Sequence, residues 1–290
     1  APEDEEETLA FDDRSGTAEP PEPGEIREAG ADATAVERLT RRSFAADPAH
    51  ALRRFRRDAA TALPRRISRR RAPSRRGPMP DMRRALREAA RHDGEVMRLP
   101  MRARRTRARR VLLLLDVSGS MKAQTEGALR AAHALTQTGV RIEVFTLGTR
   151  LTRITRALQL RNPEQAFANA AGLVADWDGG TRLGEALQAF LAVPRFAGHA
   201  RGALVLTVSD GLERGPPGTL VDAVARLSRL AWRLVWLTPL ASGPGFQPQT
   251  QALSMAAPHI DAFDSAADLG RLCTAILEAG RETPRARRAG

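Results

Sequence analysis

From residue 109 onward, short apolar runs alternate with longer amphipathic stretches. Val111-Leu112-Leu113-Leu114-Leu115 is an unbroken apolar run flanked by Arg110 and Asp116. A strand buried on both faces of a parallel sheet has this pattern. Helical spacing predicts a helix over 124–138, closed by Gly139 as a C-cap. A strand over 141–147 and a short one at 151–155 follow, then helices over 163–175 and 181–193. A second buried strand spans 203–208, followed by a helix over 219–231 and a strand over 233–238. A loop with Gly243-Pro244-Gly245, a short strand at 259–263 and a helix over 266–279 complete the pattern. Strands alternating with helices of this length predict an α/β fold, a mostly parallel sheet with helices on both faces.

Upstream the pattern is weaker. Residues 1–35 are acidic, contain Pro20-Pro21-Glu22-Pro23-Gly24, and read as a disordered linker. Residues 36–108 read as a basic, partly helical extension. Within it, 35–62 has helical spacing (Val36, Leu39, Phe44, Leu52, Phe55). The breaker-rich tract 63–80 reads as an exposed linker, 81–91 as a short helix, and 95–108 as an extended arm. The main domain is expected at 109–280, with a basic disordered tail at 281–290.

Charge sharpens this division. The net charge is +12 over 290 residues, but the run Glu3-Asp4-Glu5-Glu6-Glu7 is acidic and 53–110 is strongly basic. Such asymmetry belongs to tails and linkers with their own partners. Aromatic content is 4% with no Tyr, so the core must be aliphatic. The single cysteine, Cys273, excludes an internal disulfide framework and a Cys-rich zinc site, and its apolar helical setting predicts a buried thiol. No signal peptide and no apolar stretch of membrane-spanning length is visible, which points to the cytoplasm, with peripheral contact at the inner membrane face left open. The chain starts with Ala and an acidic Pro-rich segment, as a fragment of a longer protein would.

In open parallel sheets ligands bind at the carboxyl ends of strands. Three loops fall there. Asp116-Val117-Ser118-Gly119-Ser120 offers a carboxylate and two hydroxyls on alternate residues, entering a helix. Trp177-Asp178-Gly179-Gly180-Thr181 offers a hydroxyl at a second helix start, and Ser209-Asp210-Gly211 a second carboxylate after a buried strand. These are hard oxygen donors of the kind Mg²⁺ accepts, with Mn²⁺ as the alternative ion. Singly each has a bland explanation: a chance match, a turn, or Thr181 as an N-cap. Together, at successive strand-to-helix junctions, they point to a metal site.

Asp116, Ser118, Ser120, Thr181 and Asp210 resemble the metal-ion-dependent adhesion site (MIDAS) of von Willebrand factor A-type (VWA) domains, over roughly 109–280. The resemblance implies a Rossmann-like fold and a divalent ion, usually Mg²⁺, whose open position is often completed by a partner's acidic side chain. The segments 141–153, 176–187, 209–215 and 234–240, and the arm from Arg83 to Glu95, resemble the CoxE-like subfamily. Thr238 stands where that subfamily has Asn. The subfamily resemblance implies a bacterial, non-enzymatic protein. It implies work with a MoxR-type AAA+ ATPase in maturing carbon monoxide dehydrogenase or a related molybdenum hydroxylase. That client metalloenzyme would supply an acidic side chain to the metal.

Two other classes compete. A haloacid-dehalogenase-type phosphatase would use Asp116 as nucleophile, but needs a second Asp where Ser118 stands, and a later lysine where the chain has only Lys122. A serine hydrolase lacks its Gly-x-Ser-x-Gly elbow, and His133 and His259 read as helix-face and strand-edge residues. A nucleic-acid partner would rest on the arginines of 65–76, which are not interleaved with aromatics and is disfavoured.

Overall fold

The computed structural model describes residues 8–10, 48–93, 98–174, 182–241 and 245–282. Chain order gives β1 (Thr8–Ala10), α1 (Pro48–Ala62), β2 (Arg65–Ser74), β3 (Met79–Pro80), α2 (Met82–Ala89), β4 (Met101–Ala108) and β5 (Val111–Asp116). Next come α3 (Lys122–Thr136), β6 (Ile142–Leu147), β7 (Arg150–Arg153), α4 (Thr155–Leu158), α5 (Pro163–Leu173), α6 (Leu183–Ala192) and α7 (Pro194–Ala200). The last elements are β8 (Leu204–Val208), α8 (Pro217–Leu230), β9 (Arg233–Thr238), α9 (Gln251–Ala256), β10 (Ala262–Ser265) and α10 (Leu269–Arg281). The chain divides into one unit of residues 1–63 with 110–290 and a second of 64–109.

The first unit is built on a seven-stranded sheet of order β1-β7-β6-β5-β8-β9-β10. β6, β5, β8, β9 and β10 run parallel, while β7 and then β1 add antiparallel at one edge. The alternation of side chains along β5 explains the two layers. Val111, Leu113 and Leu115 enter a core with α1, α3 and α10, through Phe55, Leu129 and Ile276 among others. Leu112 and Leu114 enter the opposite core with α6, α7, α8 and α9, through Leu187, Phe196, Leu227 and Leu253. The expected α/β architecture with helices on both faces is therefore the one observed.

From β5 the chain goes out to β6 and β7, then returns to β8 on the other side. The sheet thus reverses its winding between β5 and β8, which is where open α/β sheets open a crevice for ligands. The C-cap of α3 is Gln137, and Gly139, expected as the cap, stands two residues further on with a left-handed φ of 73°.

Some expectations need correction. The tract 63–80 is not a linker: Arg65–Ser74 and Met79–Pro80 pair with β4 in a three-stranded antiparallel sheet, order β2-β4-β3. Its arginines and prolines masked the strand, because a ribbon with few buried side chains shows no apolar alternation. Within the acidic segment, Thr8–Ala10 forms the edge strand on β7. The rest of 1–35, all of 36–47 and the tail 283–290 lie outside the described residues. The short strand near 259 begins at Ala262, and His259 closes a 3-10 turn instead of edging a strand. The last helix starts at Leu269 because Asp268 caps it, its carboxylate accepting from the Arg271 amide at 2.8 Å. α7 and α9, of seven and six residues, were too short to register as periodic.

Candidate metal centre

The first loop is fixed from below by the core. Asp116 is the last residue of β5, and the Val117 amide still donates to the Leu147 carbonyl at 3.0 Å. Val117 and Met121 are buried, and the 3-10 turn Gly119–Met121 leads directly into α3. Ser118 is held in an extended conformation between these anchors. Its hydroxyl lies 3.1 Å from that of Ser120. Ser118 is buried and Ser120 exposed, so the hydroxyl pair bridges the interior and the surface.

Asp116 is only 3% exposed. Its Oδ1 accepts from the Ser118 amide at 2.9 Å and its Oδ2 from the Ser209 hydroxyl at 2.6 Å. Burial pushes its carboxyl above the ordinary value, and the charge of Asp210 adds to that. The hydrogen bonds from Ser209 and Ser118 oppose the shift.

The second carboxylate comes from the neighbouring strand. Val208 of β8 is in register with Leu115 of β5, so the loops leaving both strands emerge side by side. Asp210 is 5% exposed, and its Oδ1 accepts from the Leu212 amide at 3.0 Å. Gly211 turns the chain with φ of 76°, and a Cβ there would stand 2.4 Å from Leu253 Cδ2. Both the backbone and the packing therefore demand glycine.

Thr181 lies in 175–181, outside the described residues. The cap position of α6 is Arg182, with no side-chain cap bond. Four of the five expected donors, Asp116, Ser118, Ser120 and Asp210, stand at the carboxyl ends of β5 and β8.

Three supporting residues were not singled out from sequence. Ser209 is fully buried. Its hydroxyl donates to Asp116 and accepts from the Gly211 amide at 2.9 Å, while its carbonyl accepts from Trp236 Nε1 at 3.0 Å. Glu213 spans two loops: Oε2 accepts from the Gly184 amide at the start of α6 and Oε1 from the Gly215 amide, both at 2.6 Å. The position of Ser209 directly before Asp210 was the one available signal; Trp236 and Glu213 gave none.

The chemistry of this donor set can be tested against a metal. Asp116 and Asp210 are buried carboxylates, and among the described residues no Arg, Lys or His pairs with either. Buried charge of one sign without a partner is costly, and a cation relieves it. Among the described residues no group of three or more His, Cys, Asp and Glu is assembled. Two carboxylates with serine hydroxyls suit a hard ion that keeps several waters. Ser118 stands where the phosphatase alternative needs a second aspartate, and Lys122 is an exposed residue at the start of α3.

The chain resembles solved structures at low identity. The VWA domain of SpRpn10 aligns at 12% identity with a TM-score of 0.41, over 60% of this chain and 98% of that one. Two structures of proximal thread matrix protein 1 from the mussel byssus align at 13% and 16% identity, each with a TM-score of 0.40. They cover 60% of this chain but only 48% and 47% of theirs. No curated protein matches. A family model described as "VWA domain containing CoxE-like protein" matches residues 49–272, a span that includes the basic 64–109 unit as well as both carboxylate loops. The chain therefore belongs to the CoxE-like family of VWA-domain proteins.

Proposed function

We propose that this protein is a non-enzymatic, metal-dependent binding module. Asp116, Ser118, Ser120, Thr181 and Asp210 would hold Mg²⁺, with Mn²⁺ as the alternative. The observation that carries this reading is the pair of buried carboxylates, Asp116 and Asp210, at the switch point of the sheet with no cationic partner among the described residues. The ion would supply a Lewis-acidic position for an incoming carboxylate. The protein's own residues do the rest. Ser209 holds Asp116 in place, Gly211 turns Asp210 toward the strand ends, and Glu213 ties the loop after β8 to the start of α6.

Family membership supports a role in maturing carbon monoxide dehydrogenase or a related molybdenum hydroxylase. A MoxR-type AAA+ ATPase is the expected partner in the cytoplasm, and the client metalloenzyme or the ATPase would provide the acidic side chain. A contact made through a metal forms only with a correctly placed carboxylate and is broken when the partner moves, which suits a cycle driven by ATP hydrolysis elsewhere.

Capture of the ATPase and client by the tagged chain, with and without EDTA, tests this. Recovery should fall with EDTA and with Asp116→Ala. Recovery indifferent to both would contradict it, as would phosphomonoester turnover by the wild type that Asp116→Ala removes.

A further inference from the structure

The 64–109 unit has a surface that the metal site does not use. It contains seventeen arginines against four carboxylates, an excess large enough to account for the chain's net +12. Two of those carboxylates are engaged inside the unit, Asp81 with Arg102 at 3.5 Å and Glu88 with Arg84 at 3.1 Å. In the ribbon of β2 and β4, Arg66 faces Arg107 and Arg71 faces Arg104. Like charges directly opposite destabilise a sheet. Arg65, Arg66, Arg69, Arg70 and Arg71 are exposed on one strand, and Arg104, Arg105 and Arg107 on the other.

Apolar side chains share this exposure. Nine large hydrophobic residues are exposed among the described residues, and five of them (Ile67, Met79, Met82, Leu86 and Leu99) fall in this unit. Met82 and Leu86 stand one turn apart on the same face of α2, 57% and 66% exposed, beside exposed Arg83 and Arg87. The Asp81 amide donates to the Pro100 carbonyl at 2.7 Å, which sets Leu99 and Met82 each one residue from that bond.

We propose that the 64–109 unit docks on an anionic lipid bilayer. Its arginines would sit on headgroup phosphates, and Met82, Leu86 and Leu99 would enter the headgroup boundary. This partner accounts for both features at once. A nucleic-acid backbone would use the arginines but leave the apolar face in water, and the unit has no aromatic residue on which bases could stack. A protein partner would have to present acidic groups and an apolar patch together in matching positions. A bilayer asks for no shape complementarity, and arginine stems can lie along it with their heads at the interface. The proposal is independent of the metal-site reading.

Flotation of the full chain with vesicles tests it. The chain should float with phosphatidylglycerol-rich vesicles and not with pure phosphatidylcholine, and binding should fall as salt rises. Met82→Ser with Leu86→Ser should weaken partitioning by roughly ten-fold while leaving the thermal midpoint unchanged, because neither side chain is buried. Arg104→Ser and Arg105→Ser should each weaken it by about five-fold. Failure to bind anionic vesicles would overturn the proposal. So would partitioning that the Met82/Leu86 variant retains in full, or duplex DNA that displaces the vesicles and binds that variant as tightly as the wild type.

Discussion

Leu113 and Ile67 both lie in β-strands, yet their surroundings are opposite. Leu113 is 1% exposed between two helical layers, with β6 and β8 on either side. Ile67 is 70% exposed, facing Thr106 on a ribbon where Arg66 faces Arg107 and Arg71 faces Arg104. The central sheet is held by apolar burial on both faces. The ribbon is held mainly by its backbone ladder, against repulsion between its own side chains. The difference separates two jobs. The rigid sheet sets carboxylates at fixed strand ends, while the ribbon displays charge whose stabilising partner is not within the strand pair.

Truncation separates the two regions most sharply. Leu113→Ala should cost about 3 kcal/mol in chemical denaturation, through lost burial and the cavity left behind. Ile67→Ala should change stability by less than about 0.5 kcal/mol. Equal losses at the two positions would erase the distinction.

Within the buried region the Asp116 carboxylate should itself be a point of instability. The Asp116 carboxyl is raised above its ordinary value of 3.8. The unfolded chain therefore loses this proton at lower pH than the metal-free folded protein does, and the group's stabilising contribution is lost as pH rises from that value through the raised one. Asp116→Asn removes the buried charge. In metal-free protein the stability of Asp116→Asn relative to wild type should increase as pH rises across this window. A difference that is flat with pH would show that the carboxylate is not strained by its burial.

The smallest effect is expected on the ribbon. Arg104→Glu places opposite charges across the Arg71 pair and should stabilise the protein by about 0.2–1 kcal/mol at low salt, an advantage that salt screens away. Destabilisation by this substitution would mean that Arg104 has a structural partner.

Legibility in the sequence followed the same division. β5, β6, β8 and β9 were readable because burial on both faces writes continuous apolar runs such as Leu112–Leu115. β2 and β4 were not, because Arg-rich strands with exposed faces leave no period to detect. The placement of Asp116, Ser118, Ser120 and Asp210 at the carboxyl ends of β5 and β8 was readable because the apolar runs of those strands mark where the loops begin. Ser209, Trp236 and Glu213 were not, because their roles depend on contacts between residues 27 to 93 positions apart in the chain. Cys273 was legible on both counts: it is buried in α10, which pushes its thiol up to about 12 and leaves it unreactive.

The central claim is that Asp116 and Asp210 share a divalent cation. Thermal unfolding of the EDTA-treated chain, titrated with Mg²⁺, tests it most directly. At ten times the dissociation constant the ion should stabilise the wild type by about 1.4 kcal/mol, a rise of roughly 3–5 °C for a domain of this size. Asp116→Asn and Asp210→Asn should each be folded and show no rise. A wild type that ignores Mg²⁺ and Mn²⁺ alike, or variants that respond as the wild type does, would contradict it.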